Sequence, residues 1–387
     1  MTTSQVDFLG LQSQLSEEET AIQDLVRHFV QDRVAPDIGE WFDQGHLPRE
    51  IAHELGALGL FGMQIDGYGC TGANAVSYGI ACLELERVDS GLRSLVSVQG
   101  SLAMHAIHAY GSDEQRDQWL PQMATGEIIG CFALTEPDSG SDPASMRTNA
   151  RRDGSDWILN GTKAWITNGN LADVAVVWAR TADGIRGFVV PTSSPGFQAI
   201  LVTKKLSLRA SVTSDLILEE VRVPRTAMLP GTRGLGAALA CLNEARFGIV
   251  WGAVGAASAC YETALSYAST REQFGRPISS FQLTQRKLVE MMMEVQKATM
   301  VALRIGRMKD EGTLLPEHIS FGKLNNVREA LSVARAARTV LGASGITLDY
   351  PVFRHMVNLE SVLTYEGTSE IHLLTIGRAL TGHAAFQ

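Results

Sequence analysis

Trp157-Ile158-Leu159-Asn160-Gly161-Thr162-Lys163-Ala164-Trp165-Ile166 interrupts a chain that otherwise patterns as helix. Apolar and β-favouring residues stand on both sides of an Asn-Gly pair. That pattern predicts two strands joined by a two-residue turn at Asn160-Gly161. Outward from it, residues 174–179 and 186–190 flank Asp183-Gly184 and predict a second hairpin. Residues 216–218 and 221–223 alternate before Pro224. From about Ile128 to Met228 the chain therefore reads as short strands with frequent turns, a small barrel or sandwich.

Both flanks read as helix. Ser16 with Glu19 three residues on forms a capping box, followed by Ile22, Leu25, Val26 and Phe29 at helical spacing. A helix is predicted over residues 76–88 and another from Leu92 to about Tyr110. After residue 235, Gly248, Gly252, Gly255 and Ala259 form a stripe of small residues that lets another helix pack closely. Leu288, Met291, Val295, Ala298, Ala302 and Ile305 mark a long amphipathic helix. The run Met291-Met292-Met293 reads as core filler, and Arg328, Arg335 and Arg338 as a solvated helix face. The expected class is α+β, mainly α: a helical domain over 1–128, a β domain over 129–234 and a helical domain over 235–387.

Composition narrows the function. The 387 residues are 45% apolar and 19% charged, as in ordinary globular proteins. Net charge is -9, from 33 basic and 42 acidic residues. With no block of five or more like charges, this argues against a nucleic-acid surface. The five cysteines are scattered without a CxxC pair, so neither a metal site nor a disulfide framework is indicated. The first basic residue is Arg27, which argues against a transit peptide. The uncharged stretch 247–261 is shorter than the ~20 residues a membrane span needs. A cytoplasmic location is expected.

Several stretches carry chemistry. Cys131 to Asp142 is a strand running into a Pro/Gly/Ser loop able to aim amides and hydroxyls at an anion. It has neither a Rossmann nor a Walker pattern. Trp165-Ile166-Thr167 sets an indole beside a hydroxyl at a strand end, a place where a flat ring can stack. Near the C-terminus, Tyr365-Glu366-Gly367-Thr368 places a carboxylate beside a glycine in a turn, with Thr368 or Ser369 capping the helix that follows. A carboxylate fixed there can act as a general base. Arg93 and Ser97, four apart on an otherwise apolar helix, share a face and can hold an anion.

In order and spacing, ALTEPDSGSD (133–142), KAWITNG (163–169), STREQFGRPISSFQ (269–282) and YEGTSEIH (365–372) resemble the acyl-CoA dehydrogenase family over residues 15–382. Residues 84–102, 241–252 and 358–368 are most similar to the family's glutaryl-CoA dehydrogenases. The resemblance implies a helical domain, a β-barrel domain and a four-helix bundle, usually in a homotetramer. It implies FAD as cofactor, glutaryl-CoA or a similar acyl-CoA as substrate, and electron-transfer flavoprotein as acceptor. Glu366 matches the family's base. Arg93 and Ser97, with Glu86 nearby, match the site of the substrate's distal carboxylate. Asn243 and Arg246 match positions on the thioester arm, and Tyr365 and Ser141 also fall among the substrate positions. Phe132, Leu134, Thr135, Ser141, Trp165, Ile166 and Thr167 match the flavin surroundings. Arg271, Gln273, Phe274, Phe281 and Gln282 match positions reaching the FAD of a neighbouring subunit. Thr339, Gly342, Ala343, Thr368 and Glu370 match contacts to the rest of FAD. Gly342-Ala343-Ser344-Gly345 departs from the family's usual double glycine. The same residue types fit a non-decarboxylating glutaryl-CoA dehydrogenase or another short-chain acyl-CoA dehydrogenase.

Overall fold

A computed structural model describes residues 6–385. The first region is helical, and several of its helices start at a capping side chain. Ser16 Oγ accepts from the Glu19 amide at 3.2 Å while Glu19 Oε2 accepts from the Ser16 amide at 2.9 Å, opening the helix Glu17–Phe29. Asn74 caps Ala75–Val88, a helix buried on nearly every side. Asp89 caps Ser90–Val96. The helix expected from Leu92 to Tyr110 is not uniform: Ser97–Met104 is wound as a π-helix before α geometry resumes at His105–Tyr110. Such insertions are rare and cluster at functional sites.

The middle region is a seven-stranded sheet: β1 (Gly130–Ala133), β2 (Asn149–Asp153), β3 (Asp156–Thr167), β4 (Val174–Thr181), β5 (Gly184–Pro191), β6 (Phe197–Leu201) and β7 (Thr213–Pro224). Its path runs β1-β4-β2-β3-β7-β6 with β5 on β4, a half-barrel whose edges β5 and β6 do not meet. The β4–β5 hairpin forms as expected, with Thr181 opposite Gly184. The Asn160-Gly161 turn does not. Both residues lie inside β3, where its register against β7 shifts between Leu159 and Gly161. Asn160 exchanges hydrogen bonds with Glu220, Nδ2 to Oε1 at 2.7 Å and Glu220 N to Oδ1 at 2.9 Å. A Cβ on Gly161 would fall 2.4 Å from Thr148 Oγ1. Glycine is therefore required for close approach at a bulge rather than for a turn. The turn into β3 is Gly154-Ser155, between paired Asp153 and Asp156.

The last region holds three long helices, Gly236–Thr270, Gln282–Asp310 and Pro316–Leu341, and two short ones, Val352–Thr364 and Ser369–Thr381. The glycine stripe packs against Ala75–Val88. A Cβ at Gly255 would lie 2.0 Å from the Leu83 carbonyl, and one at Gly252 2.0 Å from Glu86 Oε2. By length and composition Gly236–Thr270 could cross a membrane, but 67% of its most apolar window is buried inside the protein. Of the methionine run, Met291 is core while Met293 is 50% exposed. The Arg335 guanidinium pairs with the exposed Glu360.

One buried pair ties the loop after β1 to β3. Glu136 accepts from the amides of Arg147 at 2.6 Å and Thr148 at 2.9 Å and from Lys163 Nζ at 2.9 Å. Lys163 also donates to the Leu134 carbonyl. Burial raises the Glu136 carboxyl, but these donors outweigh it and hold it down to about 2 from an ordinary 4.5. Because the folded value is depressed, the stabilisation is complete above pH 4.5 and is lost as pH falls toward 2. Glu136→Ala should cost about 3–5 kcal/mol at pH 7, since it strands the buried Lys163. Urea unfolding of both proteins should show that difference narrowing as pH falls through the acid range.

Candidate active site

The turn between the last two helices holds Tyr365, Glu366 and Gly367. Thr368 caps the second helix, its Oγ1 accepting from the Ile371 amide at 3.4 Å. Glu366 has φ 53° and Gly367 φ 104°. A glutamate in the left-handed region is unusual and needs surroundings that hold it there. They do so through the carbonyls. Arg246 Nε donates to the Glu366 carbonyl at 2.6 Å, and Lys323 Nζ donates to the carbonyls of Gly367, at 2.6 Å, and Tyr365. A Cβ on Gly367 would sit 2.8 Å from His372 Nε2, so the turn admits no larger residue there. Glu366 Oε2 is buried with no hydrogen-bond partner. Burial pushes the Glu366 carboxyl above its ordinary value, while Arg93, Lys323 and Arg246 pull against that rise. A raised carboxyl with a free oxygen has the features of a general base.

Arg93 joins this turn from Ser90–Val96 and is fully buried. Its Nε donates to Glu86 Oε2 at 2.7 Å and its Nη2 to the Tyr365 hydroxyl. Ser90 Oγ holds the other Glu86 oxygen at 2.8 Å. Among the described residues, Arg93 Nη1 and Ser97 Oγ have no partner, and both are buried. Unsatisfied buried donors are rare in folded proteins, and a ligand with an acceptor group can complete the bonding of this pair. Asn243 Oδ1 accepts from Arg246 Nη1 at 3.1 Å. Direct contacts thus join Glu86, Arg93 and Tyr365, and likewise Asn243, Arg246 and Glu366. Arg246 binds the turn's backbone here. Lys323, with His372 against Ser320 Oγ at 3.1 Å, went unnoticed in the sequence. The available signal was a single lysine beside Ile319, Ser320 and Gly322 on a face that proves buried.

The flavin-type positions lie on the half-barrel. Phe132, Leu134 and Ile166 are buried, Thr135 and Thr167 partly so, and Ser141 is exposed in its loop. Trp165 has φ 61° and is 64% exposed at the second irregularity of β3. Beside it, Asn168 Nδ2 is buried without a partner. An exposed indole, neighbouring hydroxyls and a stranded amide fit a flat heteroaromatic group such as a flavin.

The remaining positions face outward. Arg271, Gln273 and Phe274 lie at a small hairpin, β8 (Glu272–Gln273) with β9 (Arg276–Pro277), whose turn residues Phe274 and Gly275 both have positive φ. Phe274 is 94% exposed, and Arg276 stacks 4.2 Å above the Phe281 ring. Gln282, Thr339, Gly342, Ala343 and Glu370 are exposed. The Thr339 hydroxyl is taken up by the Arg335 carbonyl at 2.9 Å. No hydrogen bond among the described residues ties the hairpin, or Thr339 to Ala343, to the Glu366 turn.

Comparison with known proteins places this arrangement. Residues 16–127, 131–221 and 232–381 match the N-terminal, middle and C-terminal domains of acyl-CoA dehydrogenases. A glutaryl-CoA dehydrogenase from Mycobacterium smegmatis is 66% identical, with a TM-score of 0.98 over 99% of both chains. A second from that organism, solved in complex with FADH2, is 60% identical, with a TM-score of 0.98 over 100% of both. The human mitochondrial short-chain specific acyl-CoA dehydrogenase is 35% identical over 372 residues, 94% of this chain and 90% of that protein. With all three domains matched, and with the carboxylate turn, the half-barrel and the helical bundle in place, the chain belongs to the acyl-CoA dehydrogenase family.

Proposed function

We propose that this protein is an FAD-dependent glutaryl-CoA dehydrogenase that oxidises and decarboxylates its substrate to crotonyl-CoA. The observation that carries the reading is the buried Arg93, whose Nη1 lies unpaired with Ser97 Oγ while Tyr365 links it to the turn of Glu366. A terminal carboxylate accepts from a guanidinium and a hydroxyl, and a plain fatty-acyl chain does not. The similar glutaryl-CoA dehydrogenases described above support the same choice of substrate.

Glu366 takes the α-proton of the thioester. Glu86 neutralises Arg93 and fixes its plane, leaving Nη1 directed to the substrate's far end. Thr135, Trp165 and Thr167 would hold the isoalloxazine, which when bound accepts the β-hydride. The oxidised chain is a vinylogous β-keto-type acid: its bond to the distal carboxylate breaks, CO2 leaves, and the electron pair becomes a dienolate. Glu366 returns its proton to the chain carbon that carried the carboxylate, which gives crotonyl-CoA. Electron-transfer flavoprotein is the proposed acceptor. Homotetrameric assembly, in which a second copy covers Phe274, is part of the same proposal.

Incubation of the holoenzyme with glutaryl-CoA and a dye acceptor should give crotonyl-CoA and CO2 in equal amounts. Accumulation of glutaconyl-CoA would assign a non-decarboxylating enzyme. Glu366→Gln should keep bound flavin and lose at least ~10²-fold in turnover. In the wild type the acid limb of kcat/KM should lie above the ordinary carboxylate value of 4.5, because burial raises Glu366 and only its deprotonated form accepts the proton. Removing Arg93 strands the substrate carboxylate and costs about 3–5 kcal/mol, roughly a hundred- to several-thousand-fold in kcat/KM. Arg93→Met also strands Glu86, so the double variant Glu86→Gln/Arg93→Met is the cleaner protein. Glutaryl-CoA should suffer that loss, while butyryl-CoA, with no distal charge, should be little affected. Parallel loss for both would make Arg93 structural.

A further inference from the structure

Lys323 is only 1% exposed, on the helix Pro316–Leu341, yet it makes no salt bridge among the described residues. Its hydrogen bonds go to the carbonyls on either side of Glu366, those of Tyr365 and Gly367, while Arg246 takes the carbonyl of Glu366 itself. Two cations therefore hold successive carbonyls of one turn. Burying an ammonium is costly unless its donors are satisfied, and here two of its three N–H groups are spent on backbone that carries a left-handed glutamate. Its Nζ also lies 5.8 Å from the Tyr365 ring centroid, on the ring that receives Arg93.

We propose that Lys323 is a positioning residue for the reaction: its ammonium clamps the Tyr365 and Gly367 carbonyls, fixes Glu366 in its left-handed conformation, and supplies part of the positive field that keeps the base ionised. The proposal rests on the reading of Glu366 as the base. The charged and titratable groups around that carboxylate come from five elements: Glu86 on Ala75–Val88, Arg93 on Ser90–Val96, Arg246 on Gly236–Thr270, Lys323 on Pro316–Leu341, and His372 on Ser369–Thr381, with Tyr365 in the turn itself. Burial holds His372 neutral, pushing it down to about 3, so it adds no charge. Burial lowers Lys323 to about 7, against the upward pull of Glu366. Below that pH it is charged, and it then helps hold down the acid limb of the base. Removing it takes away one of the cations that lower the Glu366 carboxyl, so that limb moves to higher pH.

The test compares flavin-bound Lys323→Met and Lys323→Gln with wild type, using glutaryl-CoA and butyryl-CoA over pH 5 to 9. Flavin content and melting temperature are measured alongside. Lys323→Met should lose about 10- to 100-fold in kcat, the scale of a misplaced reacting group, with KM little changed and the acid limb at higher pH. Lys323→Gln is gentler: it keeps a donor for one carbonyl but no charge, so it should recover part of kcat while its acid limb moves like that of Met. Both substrates should fall in parallel, because the clamp acts on the base and not on the far end of the pocket. Wild-type kcat and acid limb in either flavin-bound variant would overturn the proposal. So would a fall in kcat with an unmoved limb, which a merely structural lysine would give. If Glu86→Gln/Arg93→Met lowers both substrates alike, the glutaryl assignment fails while the Lys323 outcome stands.

Discussion

Three cations, the buried Arg93 and Lys323 and the half-buried Arg246, converge on one short turn, and the candidate site depends on how their charge is balanced. Arg93, Arg246 and Lys323 arrive from separate helices, and each is bound either to a carboxylate or to backbone carbonyl oxygen. Isolated charges in a dry interior are prohibitively costly. Here the compensation is divided. Glu86 takes Arg93, the turn's carbonyls take Arg246 and Lys323, and the Glu366 carboxylate is left with an oxygen that no protein group uses. A base needs that free oxygen, and the backbone supplies the acceptors that spare it.

The glycine stripe makes the balance geometrically feasible. Glu86 packs directly on Gly252, where even a methyl group would overlap its carboxylate oxygen. Helix Ala75–Val88 can therefore sit against Gly236–Thr270 closely enough to exclude water while still carrying an ionised pair between them. Tyr365 completes the connection, since its hydroxyl receives Arg93 and its carbonyl receives Lys323. Arg93 and the Glu366 turn thus share one residue.

The half-barrel contributes differently. Its inward side is an apolar cluster built on Trp157, Leu159, Phe188 and Leu216, and its exposed Trp165 sits where β3 departs from regular pairing. The register shift between Lys163 and Ile166 turns Trp165 outward in a left-handed conformation, while Lys163 turns inward to Glu136. One irregularity therefore exposes the indole and anchors the loop carrying Thr135 and Ser141.

By itself the sequence determined the order helix, sheet, helix, because hydrophobic period and capping residues are local signals: Ser16 with Glu19, Thr368 ahead of Ser369–Thr381, and the Asp183-Gly184 hairpin all act within a few residues. It also carried Glu366 and Arg93 as candidates, since a carboxylate beside glycine and a lone arginine in an apolar helix are unusual where they stand. Tertiary structure decided what local signals cannot encode. Asn160-Gly161 became a bulge, not a turn, because Glu220 pairs with the asparagine amide and Thr148 presses on the glycine. Lys323 looks like any lysine on a helix until the turn more than forty residues later folds over it and offers two carbonyls. The energy of a buried charge is set by what surrounds it, and those surroundings come from parts of the chain that only the fold brings together.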